Sequence, residues 1–489
     1  MKGRLFGLDI KLSPHFSGEN FPHGIELNGI DFGTDFFKYE QGKQYYDRLL
    51  QVLFKEAEGK PIFVETSPTK ESDSLGLAIL KARTSELYKK QREGADFLAQ
   101  ILGEHFEFEY GWINDLERFH LGKLDEKDDP EKRMLANLAA AKGIELYLFT
   151  RLEYENGSIN FHLENGRTKG APHSQIGLVW PYSSTLWDVP EKFRDLFLGN
   201  PVEETIMDSK AFMHFLEEHY NAPPINYLPP GIVFGFGITT RTELVDFLKE
   251  SPSDLIVRKR GGSYCGTGVE ILEKGRLISE LRRTTPKPIS NAKLQALYYV
   301  LSQTMINVEL EEYLSVYEEF IPSIKIKHPE TGKKHDACAR TVVYLPDNGI
   351  PEVLGSQWRL APKPLGYQGS LEESLRANLS RGATAIPMDP KHEYIISSHA
   401  SLMTRCFEAQ AKALKREVED YREETKDLDQ KNLGNLTDHR IVNLLLNFGM
   451  TSSNAIADGL IQEDLSPEAT REILQITREA NKPKIYLGR

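Results

Sequence analysis

Hydrophobic and polar positions along the 489-residue chain change their period from one region to the next. Over the first 205 residues, short β-rich runs such as Pro61–Glu65 (PIFVE) and Glu145–Phe149 (ELYLF) alternate with helix-period stretches around Tyr45 to Lys55, Leu77 to Leu102 and Glu131 to Ala141. Alternation of this kind predicts a mostly parallel sheet covered by helices. No glycine-rich phosphate fingerprint follows any of these strands, so this α/β unit reads as a scaffold or substrate-side domain and not as a dinucleotide domain.

Near residue 205 the pattern changes. Asp208-Ser209-Lys210 leads into an apolar-periodic helix over Ala211 to His219, and the proline-rich connector Ala222 to Pro230 then enforces extended backbone. A helix at Arg241 to Lys249, a strand over Asp254 to Lys259 and a long helix from about Asn291 to Ser302 follow. From residue 396 the chain is helix-periodic and highly charged. Glu408 to Gln430 carries too few apolar positions for a sustained coiled-coil seam and reads as a solvated helix. The last helix opens at Ser466-Pro467-Glu468, where serine caps, proline fits the first turn and the acid meets the positive end of the dipole; it closes at Asn481-Lys482-Pro483. The expected division is a leading α/β domain over 1–205, a second domain over 206–395 and a helical region over 396–489, within a mixed α/β class.

Composition narrows the classes of partner. With 60 Lys+Arg against 72 Asp+Glu the net charge is −12, which argues against a general binder of nucleic-acid backbones. The three cysteines are too few for a disulfide framework or a four-ligand zinc site, and they fit a reducing compartment. No run of about 18 apolar residues occurs, and the amino-terminal apolar stretch is short for a signal segment, so a cytoplasmic protein with no membrane partner is expected. Asn156-Gly157-Ser158 reads as a tight turn between strands. Among the histidines, His214 and His219 have the wrong spacing for metal ligation one helical turn apart. Oligomeric state is not constrained by any of these features.

The most informative segment runs from Leu255 to Ile271 (LIVRKRGGSYCGTGVEI). A strand carries Lys259 at its end, a glycine-rich loop turns back, and a second strand begins. Gly261, Gly262, Gly266 and Gly268, with Ser263 among them, let backbone N–H groups approach a polyphosphate, and Lys259 adds a point charge. The hairpin has the composition of a flap over phosphates, although a plain turn would use similar residues. Cys265 lies in the same loop beside Arg258, Lys259 and Arg260, but no histidine nearby in sequence would activate it.

In order and spacing, Lys259 and Gly261 to Val269 resemble the ATP-grasp superfamily, in which a lysine-ended strand and a flexible glycine loop cover the nucleotide. Upstream, Asp208-Ser209-Lys210 with its helix and connector is similar to the segment that precedes the lysine strand. Downstream, Val316 to Pro322 resembles the hinge whose backbone reads the adenine edge, which implies that Glu318, Glu319, Phe320 and Ile321 line the base. Lys325 and Lys327 stand where the family often has an acid for the ribose. The strand Ala337 to Leu345, the turn signal Pro346-Asp347-Asn348-Gly349 and a return strand through Trp358 to Ala361 place Arg340 and Arg359 where the family has arginines facing the terminal phosphates. Leu375 to Ala383 (LRANLSRGA) is similar to the Arg-x-Asn-x-x-x-Gly loop of ATP-grasp ligases such as the ribosomal-protein glutamate ligases, which implies that Arg376 and Asn378 meet the phosphates and the acyl substrate.

The pattern then departs from the family. No Glu-x-Asn pair follows the loop, and Asp336, Glu352 and Asn378 stand as magnesium candidates with no spacing that selects among them, Asp336 and Asn378 being the expected ligands. The resemblance implies ATP and Mg2+ as cofactors. It implies a ligase that joins a small-molecule or peptide carboxylate to an amine through an acylphosphate, with Arg340, Arg359 and Arg376 as the catalytic cations. A catalytically silent ATP-binding regulator and an ATP-grasp-like small-molecule kinase remain as alternatives, because fold alone does not choose between them.

Overall fold

The computed structural model describes residues 2–14, 20–28, 30, 32–86, 89, 118, 121–122, 124, 129–186, 189–199, 232–236, 248–260, 269–283, 314–347, 350–379, 382–401, 403, 404 and 407. Over these residues the protein has a mixed α/β architecture built on three sheets.

The first sheet is antiparallel and contains β1 (Arg4–Pro14), β2 (Asn20–Asn28), β13 (Lys334–Leu345), β14 (Glu352–Leu360) and β15 (Thr384–Pro387) in the order β15-β14-β13-β1-β2, with β12 (Lys325–Lys327) pairing β13 off that path. Strands β1 and β13 are central, β13 buried on nearly every residue and β1 on most, which accounts for their runs of Leu, Ile, Val and Ala. The second sheet is mixed. Its order is β6 (Thr168–Pro172), β5 (Ser158–Leu163), β4 (Leu146–Glu155), β3 (Ile62–Glu65) and β7 (Leu178–Trp180). Strand β3 runs parallel to both β4 and β7, as the strand–helix alternation predicts, whereas β4, β5 and β6 form an antiparallel meander. The Asn156-Gly157 turn joins β4 to β5 with φ of 47° and 81°, the left-handed geometry that hairpin turns of this kind require. The third sheet is antiparallel, with β10 (Val269–Glu273), β9 (Leu255–Arg260), β11 (Leu314–Glu319) and β8 (Ile232–Phe236) in that order.

A long amphipathic helix, α1 (Glu40–Glu56), lies between the first two sheets. Its buried face of Tyr45, Tyr46, Leu49, Leu50 and Leu53 shares one apolar cluster with Val342, Tyr344 and Leu354 of the first sheet and with Ile62, Val64 and Leu178 of the second. The helix approaches β14 at Gly355, where an added Cβ would come within 3.2 Å of Tyr45. Helix Pro130–Ala141 contributes Leu135 and Ala139 to the same core. The far side of the second sheet has its own aromatic core, in which Phe63 stacks on Phe161 at 3.8 Å between ring centres. The far side of the first sheet is covered by the helix at 390–401 and its continuation, with Trp358 against His392 and Phe6 against Phe407.

One boundary differs from the sequence reading. Residues 4–28 fall within the leading unit expected over 1–205, but as β1 and β2 they complete the sheet of residues 325–387. Their physical reason is the double-sided apolar pattern of β1, which only a central strand position satisfies; backbone pairing over hundreds of residues leaves no local trace in sequence. The helices expected over 211–219, 291–302, 408–430 and 466–483, and the connector 222–230, lie outside the described residues, as does most of the helix expected at 241–249 and the second half of that expected at 77–102.

Candidate functional site

Strands β9 and β10 form the expected hairpin, with Lys259 opposite Val269. Lys259, Gly261, Gly262, Ser263, Gly266 and Gly268 divide there: the lysine is described, whereas the loop residues 261–268 are outside the described residues. Alternation splits β9 between two faces. Ile256 turns toward Leu248 and Leu277 of the covering helices, and Arg258 pairs with Glu270 directly across the hairpin. Lys259 takes the opposite face, where it is buried and lies 2.6 Å from Glu318 Oε1 on the neighbouring β11. Its ammonium also donates to the carbonyl of Ile25 in β2, at 3.1 Å.

That carbonyl ties two sheets together at an informative place. The β1–β2 ladder pairs Asp9 with Glu26 and then Ile10 with Gly24, so Ile25 is the extra residue of a β-bulge. Bulges re-aim backbone groups and recur beside functional sites. Here the bulge places the Lys259 contact beside the register position of Asp9, which in turn faces Arg340 across β1–β13. Arg340 donates to Asp9 through Nε at 2.5 Å and Nη2 at 2.8 Å, a two-pronged pair, and Arg359 Nη1 lies 4.0 Å from the same carboxylate. Both guanidiniums are about 5% exposed. Lys259, Arg340 and Arg359, selected from distant segments of sequence, are thereby linked through β1 and β2.

The charged patch arises from a change of cover along one face of the first sheet. Leu5 and Asp9 project to the same face by period-2 alternation, as do Tyr344, Val342 and Arg340 on β13. Leu5, Val342 and Tyr344 lie under α1 and are apolar; Asp9, Lys11, Asp336, Cys338 and Arg340 continue that face beyond it. Burial pushes the Cys338 thiol up to about 12, reinforced by Asp9 and opposed by Lys11, Arg340 and Arg359, so it is a neutral packing group.

The hinge segment runs between the third and first sheets. Phe320 N–H donates to Leu255 O, and Ile324 N–H donates to Leu12 O at 2.7 Å. Lys11 sits under it: its ammonium donates to Ile321 O at 3.2 Å, lies 4.4 Å from the centre of the Phe320 ring, and pairs with Asp336 at 3.0 Å. Glu318 and Glu319 fall on opposite faces of β11, so only Glu318 meets Lys259. Lys325 bonds Asp336 Oδ1 at 3.0 Å, and Ser323 Oγ bonds the same oxygen at 2.8 Å.

The magnesium expectation at Asp336 meets this arrangement directly. One ammonium lies on each carboxylate oxygen, the side chain is fully buried, and a divalent cation would have to displace both lysines. Asn378 offers only a neutral amide oxygen, Glu352 lies at the outer end of β14, and no group of three or more His, Cys, Asp or Glu side chains is arranged to hold a metal among the described residues. These residues do not fit a magnesium site. Arg376 follows the short helix Leu371–Leu375 and donates through Nη1 to Val269 O at 2.9 Å, which brings the Arg376 loop against the end of the hairpin. The Asn378 carbonyl accepts from Ala383 N–H as the loop closes, with Gly382 at φ 87°. Arg381 lies outside the described residues.

Sequence reading missed Asp9, Lys11 and the Ile25 carbonyl. The available signal was the pair of opposite charges two residues apart inside the apolar run Leu8-Asp9-Ile10-Lys11-Leu12, which share one strand face.

A second polar group sits at the carboxyl end of β3. Glu65 accepts from Tyr182 N–H at 2.9 Å and Thr185 Oγ1 at 3.0 Å. Asp129 Oδ2 accepts from Ser67 N–H at 2.6 Å, Thr66 Oγ1 at 3.0 Å and the Tyr182 hydroxyl. Burial holds the Glu65 carboxyl above its ordinary range against those bonds and the charge of Lys132. Burial acts in the same direction on Asp129, but Lys132, Tyr182, Ser67 and Thr66 together hold it below the usual carboxylate value.

No protein-family model matches the chain, and no curated protein matches it. Among solved structures it is similar to a protein described as a gamma-glutamylcysteine synthetase from Methylobacillus flagellatus KT, at 10% identity and a TM-score of 0.39, over 85% of this chain and 90% of that one. It is also similar to a glutathione synthetase-like effector from Globodera pallida, at 11% identity and a TM-score of 0.34, over 74% of each chain. No helix among the described residues is long and apolar enough to cross a membrane.

Proposed function

We propose that this protein is an ATP-dependent ligase that joins a carboxylate to an amine through an acylphosphate, with an ATP-grasp-like domain over about residues 206–395 completed by β1 and β2. The observation that carries the reading is the position of Lys259: buried against Glu318 of the hinge strand and bonded to the bulge carbonyl beside the strand position of Asp9 and Arg340. Lys259 is thus tied to the β2 bulge next to the strand position that faces Arg340, and transfer of a phosphoryl group to a carboxylate uses cations of both kinds.

In this reading ATP is a substrate. The hinge backbone around Phe320 and Ile321 takes the base, Lys259 exchanges its contact with Glu318 for a phosphate oxygen, and Arg340, Arg359 and Arg376 bear the charge that develops on the transferring group. The substrate carboxylate attacks the γ-phosphorus as the bond to ADP breaks; the amine then displaces phosphate from the acyl carbon. Guanidinium groups suit both stages because they stay charged and fork onto two oxygens. The reading requires water to be excluded from the site, because it would otherwise hydrolyse the acylphosphate. Magnesium is proposed to arrive with the triphosphate; no step is assigned to a metal held by the protein's own carboxylates.

The test is a titration of the full chain with ATP, followed by incubation with ATP, magnesium and a panel of amino acids and short peptides while ADP and product mass are measured. ADP formation that requires two co-substrates together is the expected result. ADP formation with phosphate appearing on a single substrate would identify a kinase instead, and ATP binding without turnover on the panel would identify a silent binder. Lys259→Ala should weaken ATP binding by about tenfold or more, the scale of losing one charge-assisted contact; unchanged affinity would remove the hairpin from the nucleotide site.

A further inference from the structure

The segment that joins β11 to the first sheet is anchored mainly on the side of that sheet. Ile324 N–H donates to Leu12 O, Ser323 Oγ bonds Asp336 Oδ1 and accepts from Ala337 N–H at 2.9 Å, and Lys325 pairs with the same carboxylate. Ser323 and Asp336 are fully buried, so residues 323–325 belong to the framework of the first sheet. Toward the third sheet, Phe320 N–H donates to Leu255 O. Phe320 and Ile321 lie between these two anchors, and Lys11 is the side chain that reaches them from β1, 310 residues earlier in the chain.

An ammonium carries three N–H donors, and a buried one is costly unless each finds a partner. Lys11 is 9% exposed, and its partners are Asp336 Oδ2 at 3.0 Å, the Ile321 carbonyl at 3.2 Å and the face of the Phe320 ring, whose centre is 4.4 Å away. The first contact balances charge. The other two restrain the hinge, one through its backbone and one through a side chain. A lysine serving only as the counter-ion of Asp336 would need neither, and Lys325 already compensates the other oxygen of that acid.

We propose that Lys11 is a positioning residue for recognition of the nucleotide base, locking Phe320 and Ile321 against the first sheet so that the base meets a preformed edge. The inference rests on the reading in which the hinge backbone takes the base. Its physical content is preorganisation: a hinge ordered in advance does not have to be ordered when the ligand binds.

The distinguishing variant is Lys11→Met, which keeps the length of the stem and removes the ammonium. Binding is measured by calorimetry on the full chain with two ligands in the presence of magnesium: ATP, and inorganic tripolyphosphate, which has the phosphates and no base. Lys11→Met is expected to weaken ATP about tenfold, the scale of ordering the backbone of one residue on binding, and to leave tripolyphosphate within about twofold of the parent. Lys259→Ala, by contrast, should weaken both ligands together. A residue that merely supported the fold would not separate the two ligands, so equal losses, or unchanged ATP affinity, would overturn the proposal. Lys11→Arg retains the charge beside Asp336 but replaces a compact ammonium by a planar fork, and ATP should still weaken about threefold or more. Should the Met variant fail to fold, the Arg variant decides: parent-like ATP affinity there would reduce Lys11 to a counter-ion and refute the positioning role. A parent that binds ATP no more tightly than tripolyphosphate would overturn the hinge reading and this proposal with it, whereas a parent and variants that separate the two ligands equally would leave the hinge reading standing and overturn the role of Lys11 alone.

Discussion

Two buried polar groups among the described residues are built on opposite principles. At the carboxyl end of β3, Glu65 and Asp129 each gather several donors, mostly neutral: hydroxyls of Thr66, Thr185 and Tyr182 and backbone N–H groups of Ser67 and Tyr182. On the face of the first sheet the donors are charged, with Arg340 two-pronged on Asp9, Arg359 4.0 Å from the same carboxylate, and Lys11 and Lys325 on the two oxygens of Asp336. A network of acids saturated by hydroxyls and amides is complete in itself and specifies local structure. A network of charged pairs gathers guanidinium and ammonium groups on one sheet face. The difference separates a structural polar core from the candidate site without reference to any relative.

The comparison can be broken most severely at Asp336. Asp336→Ala removes the fully buried carboxylate between Lys11, which is largely buried, and Lys325, whose side chain is 35% exposed. Removing one partner of a buried ionic group costs about 3–5 kcal/mol. Chemical denaturation of the variant should show a loss of that order, with Asp336→Asn little better because the lysines remain uncompensated. A loss under about 1 kcal/mol would mean that water already screens the cluster.

Acid titration sharpens the contrast through its sign. Burial holds His23 down to about 4 and His399 down to about 3, the latter helped by His23, at the β2 edge of the first sheet and on the helix that covers it. Their folded pKa values are depressed, so the neutral forms contribute stability that is complete above the unfolded value of 6.5 and is lost as pH falls through about 4 and then about 3. Glu65 behaves oppositely: its folded pKa is raised, so its contribution is greatest below the ordinary carboxylate value and declines as pH rises through the folded one. Melting temperature should therefore fall between pH 6.5 and 4, with a contribution on the order of 3 kcal/mol from each histidine, and His399→Leu should flatten that slope. A slope unchanged in the variant would place the acid sensitivity elsewhere.

A smaller effect is expected at Tyr182. Tyr182→Phe removes the hydroxyl that donates to Asp129 and contacts Ser67 Oγ at 2.9 Å. Other donors to Asp129 remain, so the loss should be about 1–2 kcal/mol with no change in ATP binding. A variant that keeps its stability but loses nucleotide affinity would erase the distinction between the two groups.

Most of the local architecture was legible. Strands β3, β4, β9, β13 and β14, helix Pro130–Ala141 and the Asn156-Gly157 turn follow from periodicity and turn chemistry, because those signals act over a few residues. The arginines and the hairpin lysine were visible for the same reason: each sits in a local pattern. Asp9 and Lys11 were not, since their partners come from β13 and the hinge, and pairing across more than 300 residues is decided by which strands fill the centre of a sheet. The sharing of Asp336 between two lysines was likewise invisible, and without it the residue looked like a candidate metal ligand.

The weakest link tests whether the two regions are coupled by charge or by packing. Lys142, at the end of helix Pro130–Ala141, pairs with Asp47 of α1 at 2.9 Å, and both side chains are roughly two-fifths exposed. The same two helices also share a dry contact through Leu135 and Ala139 against the α1 face. Exposed pairs contribute about 0–1 kcal/mol and are screened by salt, whereas truncating a buried leucine costs about 2–5 kcal/mol. Lys142→Ala should thus change stability by less than about 1 kcal/mol, with the difference vanishing in 1 M salt, and Leu135→Ala should cost several times more at any ionic strength. If the lysine variant proved the costlier of the two, the α1 interface would be held by charge, and the apolar core common to both sheets would not be what joins the structural polar group to the candidate site.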